Sequence, residues 1–372
     1  MPYSLRLALA ALAVTLVLTP LVMRLARRIG ALDHPGPRRI HRDPVPTLGG
    51  LAMVPAVLVV AWAARILPGP AQELDPRPLL GLTLAAVPIV ALGIRDDLAG
   101  VSPGVKLAVQ TCAAIVLIHF GYGVPLVTNP LGPPIQSGAL SGPLAVAWTL
   151  VVMNAINLID GLDGLASGVV LMAAGALWFV ARFHSDFYVM FIASLLIGAT
   201  LGFLRYNFPP ARVFMGDTGS QFLGLTLAAV ALLENRKGTA AVTLLFPIVA
   251  IALPIADGVL AFARRLLGGR PVFHADTGHI HHRLLGLGLS QRSAVLVLWT
   301  LCAGLGVTAM ALEMLPHRVA LLLAVALAVG LLVAFERLDS IGRRILGRFG
   351  ARTADASTAR GSEAVTTEDP KA

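Results

Sequence analysis

Long runs of nearly uncharged residues alternate with short polar stretches along most of the chain, and each run is long enough to cross a bilayer as a helix. Eleven spans are predicted, near residues 5–23, 48–64, 79–94, 104–121, 142–159, 164–181, 186–204, 216–233, 239–262, 293–312 and 318–335. The expected fold is an all-α integral membrane protein, a polytopic bundle of about eleven transmembrane helices forming one domain over residues 1–349. No internal repeat is visible. Residues 350–372 are small and polar, cannot bury enough apolar surface to order themselves, and are expected to be a disordered tail. The Pro- and Gly-rich stretch 122–143 is expected to be an external loop with a short hairpin.

Charge gives this pattern a direction. If the N-terminus is outside, the segments 24–47, 94–106, 205–217, 263–292 and the tail from 336 face the cytoplasm, and they hold 22 of the 29 Lys and Arg residues. Cytoplasmic loops collect such cations, so an external N-terminus and a cytoplasmic C-terminus are expected. The net charge of +9 then reads as loops resting on anionic lipid headgroups, and no aromatic-interleaved basic patch argues for nucleic acid. The first run has no basic leader beyond Arg6 and ends in MRLARR, so no cleavable signal peptide is expected. Cys112 and Cys302 fall in mid-span, where packing is the ordinary role and neither a disulfide nor a thiolate metal site is implied.

Five polar clusters interrupt the apolar pattern, and in this topology all five lie on the cytoplasmic side. An acid at membrane depth costs roughly 2.5–3.5 kcal/mol on insertion scales, so it marks chemistry or ion handling. The most telling cluster is NAINLIDGLDGLASG, Asn154–Gly168. Asp160 and Asp163, three residues apart, share a helical face and can point at one cation, and Asn154 and Asn157 continue that face inward. Gly161, Gly164 and Gly168 thin the helix for a neighbour or a substrate.

The other clusters are weaker taken singly. In RRIHRDPVPTLGG, Arg38–Gly50, arginines suit phosphates and the glycine pair permits close approach, although an ordinary membrane-proximal loop accounts for it as well. In GIRDDLAGVSPGVK, Gly93–Lys106, the adjacent Asp96 and Asp97 suit a divalent cation or a raised pKa. Ser102 and Pro103 make a helix start that sets Lys106 one turn into span four. Two acids in a solvated turn are commoner still. In RYNFPPARVFMGDTGSQFLG, Arg205–Gly224, Asp217, Thr218 and Ser220 open span eight, where helix-end amides can receive anions. An N-cap explains Asp217 equally but leaves Asn207, Pro209, Pro210 and Phe214 unexplained. In FHADTGHIHHRLLGLGLSQR, Phe273–Arg292, four histidines, 274, 279, 281 and 282, crowd one loop with Asp276 and Arg283. Zinc is the rival there, since imidazole suits it; with no cysteine near, a phosphate-handling cluster is favoured.

In order, PVPTLGG, the Asp pair with its following Lys, NAINLIDGLDGLA, NFPPARVFMGDTGS and GHIHHRLL resemble the polyprenyl-phosphate N-acetylhexosamine-1-phosphate transferase family of multispanning bacterial membrane enzymes. The likeness runs from about Ile40 to Gly288, and five ordered motifs are far more specific than one short pattern. It implies transfer of a sugar 1-phosphate from a uridine diphosphate sugar to a membrane polyprenyl phosphate, with release of uridine monophosphate and help from Mg2+ or Mn2+. The place of action is the cytoplasmic face of the bacterial inner membrane, and a second copy of the chain is admitted as a partner in a homodimer.

By position in the matched motifs, Asp217 is the principal metal ligand. Asp96 and Asp97 stand close by to bind metal or orient the lipid phosphate. Asp96 could also serve as a base, though an anionic phosphate does not need one. Asp160 and Asp163, with Asn207 and Phe214, line the nucleotide pocket, and Phe214 stacks the uracil. Arg42 and Thr47 match the nucleotide-side loop. Lys106, Asn157, His279, His281 and His282 meet phosphates or the sugar, and Asp257 is structural, paired with Arg264 or Arg265. HIHH in place of a triple histidine, and the form NFPPARVFMGD, favour UDP-N-acetylglucosamine over UDP-N-acetylmuramoyl pentapeptide or another N-acetylhexosamine donor. The alternative of another class is a secondary transporter. Such proteins place their sites near the midplane between repeated halves, whereas here the acids gather at span ends.

Overall fold

The computed structural model describes residues 2–35, 43–127, 135–235, 280–316 and 318–331, with isolated positions at 252, 255–257, 333 and 337. Helix α1 (Tyr3–Ile29) buries Leu7, Ala11, Thr15, Thr19, Val22 and Ala26, one stripe at three- and four-residue spacing. Leu9, Val17, Leu21 and Leu25 point away from it and are exposed. One face thus meets the bundle and the other is suited to lipid. Thr15 and Thr19 sit inside the stripe, and their hydroxyls donate to the carbonyls of Ala11 and Thr15 at 3.0 and 2.7 Å. The helix ends at Gly30, whose φ of 75° is the left-handed conformation glycine adopts without strain.

A two-stranded antiparallel pair follows, β1 (Leu32–Asp33) against β2 (Val45–Pro46), with Leu32 opposite Pro46 and Asp33 opposite Val45. Then come α2 (Gly50–Ile66), α3 (Pro76–Ala99) and α4 (Pro103–His119). A second small pair joins β3 (Leu126–Val127) to β4 (Ile135–Gln136). The remaining helices are α5 (Ser141–Ile159), α6 (Leu165–Phe183), α7 (Phe187–Asn207), α8 (Gly216–Asn235), α9 (Ile280–Gly286), α10 (Gln291–Glu313) and α11 (Arg318–Leu331).

Helix α8 is the axis of the bundle. Every residue from Thr218 to Leu233 is buried, and α2, α3, α5, α6 and α7 all pack on it. Outside this centre, α1 packs on α7 and α2, α7 on α6, and α6 on α10.

Among the described residues, helices occupy ten of the eleven stretches expected to span; most of the ninth, 239–262, lies outside them. Six helices, α1, α3, α5, α6, α7 and α10, are long and apolar enough to cross a membrane, and α2, α4 and α11 are shorter apolar helices. The chain is an all-α membrane protein. The expected hairpin within 122–143 is present as β3–β4, with its tip outside the described residues. The tail 350–372 also lies outside them.

Candidate active site

The site grows from the first turn of α8. Gly216 precedes Asp217 with φ 71°, a conformation open to glycine and costly to most other residues. A Cβ on Gly50 would run into the backbone of Gly219, and one on Gly93 into that of Thr218. These glycines let α2 and α3 lie flush against the start of α8. Asp97, four residues beyond Gly93, is on the same face of α3 and so arrives at the free amides. Its Oδ1 accepts from Asp217 N at 2.7 Å, and its Oδ2 accepts from Thr218 N at 3.1 Å and Thr218 Oγ1 at 2.7 Å. Asp97 is therefore the cap of α8, supplied by another helix.

That arrangement releases Asp217 from the capping role its position in the sequence allowed. Its Oδ2 accepts from Lys106 Nζ at 2.6 Å and its Oδ1 from Asn157 Nδ2 at 3.0 Å. Lys106 Nζ lies an equal 2.6 Å from Asp96 Oδ2, and Asp96 Oδ1 accepts from Val101 N at 2.7 Å. Asn157 Nδ2 also donates to Ser220 Oγ at 2.9 Å. One ammonium thus bridges two carboxylates drawn from α3 and α8. Helices α3, α4 and α5 all reach Asp217 on α8.

These groups open onto a cavity of ≈ 570 Å³ whose lining residues include Asp33, Asp97, Asp160, Asp163 and Asp217. Among the described residues lining it there is no Lys or Arg. Asp160 follows the last residue of α5, and among the described residues its carboxylate has no hydrogen-bond or ion-pair partner. Burial pushes its pKa well above the usual carboxylate value, and the charges of Asp217, Asp97 and Asp163 add to the rise.

Two further segments shape the cavity without lending it free polar groups. The PVPTLGG strap lies between α1 and the loop before α8. Phe214 N donates to Pro46 O at 2.8 Å, Gly49 N to Phe214 O at 2.9 Å, and Gly50 N to Met215 O at 2.9 Å. Thr47 donates both its amide and its hydroxyl to Ala31 O, at 3.0 and 3.1 Å. The strap thereby holds Thr47 and Phe214 in the cavity wall. Asn207 is 2% exposed. Its Oδ1 accepts from Gly164 N at 3.0 Å and Ser167 Oγ at 3.2 Å, while its Nδ2 donates to Val213 O at 2.9 Å. Asp163 Oδ2 accepts from Ala211 N at 2.9 Å, and Arg292 Nε donates to Pro209 O at 2.8 Å.

Of the residues singled out in the sequence, Thr47, Asp97, Asn157, Asp160, Asp163, Asn207, Phe214 and Asp217 line this one cavity. Lys106 and Asp96 stand directly behind Asp217. Arg42 and His279 lie outside the described residues, as do Arg264 and Arg265, the expected partners of Asp257. His281 and His282 belong to α9, and Leu285 of that helix reaches the cavity with Gln291 at the start of α10. Sequence reasoning did not find Asp33, Gln291, Gln110 or Gln221. Asp33 carries no motif, Gln110 reads as a single amide in an apolar run, and Gln291 and Gln221 stand near the ends of the clusters Phe273–Arg292 and Arg205–Gly224 behind more conspicuous residues.

Among the described residues, no three acidic, Cys or His side chains close on one point as a ready-made metal cage. Carboxylates spread around a chamber suit a hard cation that keeps its waters and bridges phosphates. The donor set therefore fits magnesium.

The carboxylate-lined chamber lies at one end of a bundle of helices long and apolar enough to cross a membrane, and the family to which the chain belongs is one of membrane transferases. The chain belongs to glycosyl transferase family 4, whose pattern matches residues 79–235. It is 37% identical over 292 residues to the probable undecaprenyl-phosphate N-acetylglucosaminyl 1-phosphate transferase of Bacillus subtilis, covering 78% of this chain and 80% of that one. It is 36% identical over 314 residues to the decaprenyl-phosphate N-acetylglucosaminephosphotransferase of Mycobacterium leprae, covering 78% and 79%. The undecaprenyl-phosphate alpha-N-acetylglucosaminyl 1-phosphate transferase of Escherichia coli K12 is 28% identical over 312 residues, covering 81% and 82%.

Proposed function

We propose that this enzyme transfers N-acetylglucosamine 1-phosphate from UDP-N-acetylglucosamine to a polyprenyl phosphate, releasing uridine monophosphate, at the cytoplasmic face of the bacterial inner membrane and with one Mg2+ or Mn2+. The observation that carries the reading is that Asp97, Asp160 and Asp217, from three separate elements, line one cavity with no Lys or Arg among its described lining residues. Both substrates are anionic, so such a chamber repels them unless a divalent cation enters with them. The relatives' names, each a polyprenyl-phosphate N-acetylglucosamine-phosphate transferase, support the choice of sugar and acceptor. Among the described residues, Arg24, Arg27, Arg28, Arg95, Arg205 and Arg212 sit at or next to the helix ends nearest the chamber, which supports the cytoplasmic assignment.

The reaction is a phosphoryl transfer, in which positioning and electrostatics supply most of the rate. An oxygen of the lipid phosphate attacks the phosphorus that carries the sugar. A new P–O bond forms there, the bond from that phosphorus to the bridging oxygen breaks, and uridine monophosphate leaves with that oxygen and its electron pair. The lipid phosphate is already anionic near neutral pH, so no base has to act first. Asp217 and Asp97 would hold the ion, with Asp160 nearby, and when bound it neutralises the diphosphate and the developing charge on the leaving group. Lys106, fixed between Asp96 and Asp217, holds Asp217 in place from behind the cavity wall and lends positive charge toward the phosphates. Asn157 orients Asp217, and Phe214 stacks the uracil from the cavity wall.

The test is turnover by purified protein in detergent with UDP-N-acetylglucosamine labelled on the phosphate next to the sugar, polyprenyl phosphate and Mg2+. Label moving into the lipid with equal release of unlabelled uridine monophosphate is the expected result. Label left in the nucleotide, or released as free sugar phosphate, would refute the reading.

A further inference from the structure

One helical turn deeper than the charged site, the same three helices carry a second polar triangle made of amides. The upper one is Lys106 on α4, Asn157 on α5 and Asp217 on α8. Gln110, Asn154 and Gln221 lie three or four residues from these along their own helices, on the same faces. Gln110 Nε2 donates to Gln221 Oε1 at 2.8 Å, and Asn154 Nδ2 donates to Gln110 Oε1 at 2.9 Å. Gln110 is 0% and Gln221 1% exposed.

Neither packing nor substrate contact accounts for this tier. None of the three side chains reaches the cavity. Apolar residues would fill the same space without leaving Gln221 Nε2 buried and lacking an acceptor among the described residues, an arrangement that costs stability. Helix α4 packs chiefly on α3 and α5, and Gln110 is its first buried residue. Among the described residues, the side-chain hydrogen bonds from α4 to α8 at the level of the site are those of Lys106 and Gln110. Between helices in a bilayer the hydrophobic effect sets no register, and polar side chains do so instead.

We propose that Gln110, Asn154 and Gln221 are positioning residues, a neutral tier that fixes the register of α4, α5 and α8 and thereby holds Lys106 and Asn157 on Asp217. The long Lys106 side chain must meet two carboxylates at 2.6 Å at once, and its reach leaves little tolerance for a sliding α4. A misplacement on the order of 1 Å at a reacting centre lowers the rate about 100-fold. The inference rests on Asp217 lying at the reaction centre.

The experiment is the double variant Gln110→Met/Gln221→Met, which replaces both partners by apolar side chains of similar volume, a change close to neutral for stability. Expected are an unchanged thermal midpoint in detergent, a KM for UDP-N-acetylglucosamine within about twofold of the parent, and kcat lower by roughly 10–100-fold. A folded variant with parental kcat, or one whose loss lies in KM alone, overturns the proposal. Should the double variant not fold, Asn154→Leu carries the same test, because it leaves the Gln110–Gln221 bond intact. Failure of both to fold shows a purely structural tier and also overturns it. Asp217→Asn run alongside separates the two readings. Turnover retained there removes the site assignment itself, whereas an inactive Asp217→Asn beside a fully active amide variant removes the positioning role alone.

Discussion

Asp97 grips Thr218 twice with one oxygen, accepting from its amide at 3.1 Å and from its hydroxyl at 2.7 Å. An acid on α3 thus starts the helix that carries Asp217. Losing a helix cap costs about 0.5–2 kcal/mol, so Asp97→Ala is expected to lower stability by about 1 kcal/mol and turnover by far more, since Asp217 rides on that first turn. Chemical or thermal unfolding in detergent, paired with kcat, checks both. An Asp97→Ala protein as stable as its parent would remove the capping role.

Lys106 is the only cation that touches Asp217 among the described residues. Lys106→Met leaves two carboxylates facing each other with no cation between them, and kcat is expected to fall at least about 100-fold. Lys106→Arg should not restore it, because a planar guanidinium cannot occupy the point between two carboxylates that a compact ammonium fills. Full activity in the arginine variant contradicts this geometry.

Phe214 is held in the cavity wall by its backbone bonds to Pro46 and Gly49. Base stacking on an aromatic ring is worth about 1–3 kcal/mol. Calorimetry should therefore show uridine monophosphate binding roughly 5–100-fold more weakly to Phe214→Ala and near-normally to Phe214→Tyr. Equal affinity in the alanine variant removes the stacking role.

Asp160 has a folded-state pKa raised by burial and by neighbouring carboxylates. Its protonated form is favoured by folding, so its contribution to stability is complete below the ordinary carboxylate pKa and is lost as pH rises through the raised value. In metal-free buffer the thermal midpoint should fall over that rise, and Asp160→Asn should flatten the fall. A midpoint profile identical in the two proteins sinks the claim that Asp160 faces uncompensated negative charge.

Much of this architecture is legible in the chain because hydropathy alone marks a membrane span. Among the described residues, ten of the eleven apolar runs coincide with helices, and Asp97, Asp160, Asp163 and Asp217 at their ends share one cavity, with Asp96 behind it. Roles were harder to read than places. A cap needs only a carboxylate beside free amides and takes no account of chain distance, so Asp97 caps α8 from 120 residues away while Asp217, the local candidate, does not. Asn207 reads as a substrate ligand, yet its amide is spent on Gly164, Ser167 and Val213. The β1–β2 pairing that anchors PVPTLGG is too short to leave a period-two signal. Gln110 acquires meaning only once α5 and α8 are known to flank it.

The central claim is that carboxylates from separate helices serve one divalent ion. Mn2+ titration followed by electron paramagnetic resonance, in the presence of UDP-N-acetylglucosamine, tests it most directly. The expected result is one tightly bound ion per chain in the parent protein and none at the same concentrations in Asp217→Asn. Two ions per chain, or undiminished Mn2+ binding in the variant, would contradict it.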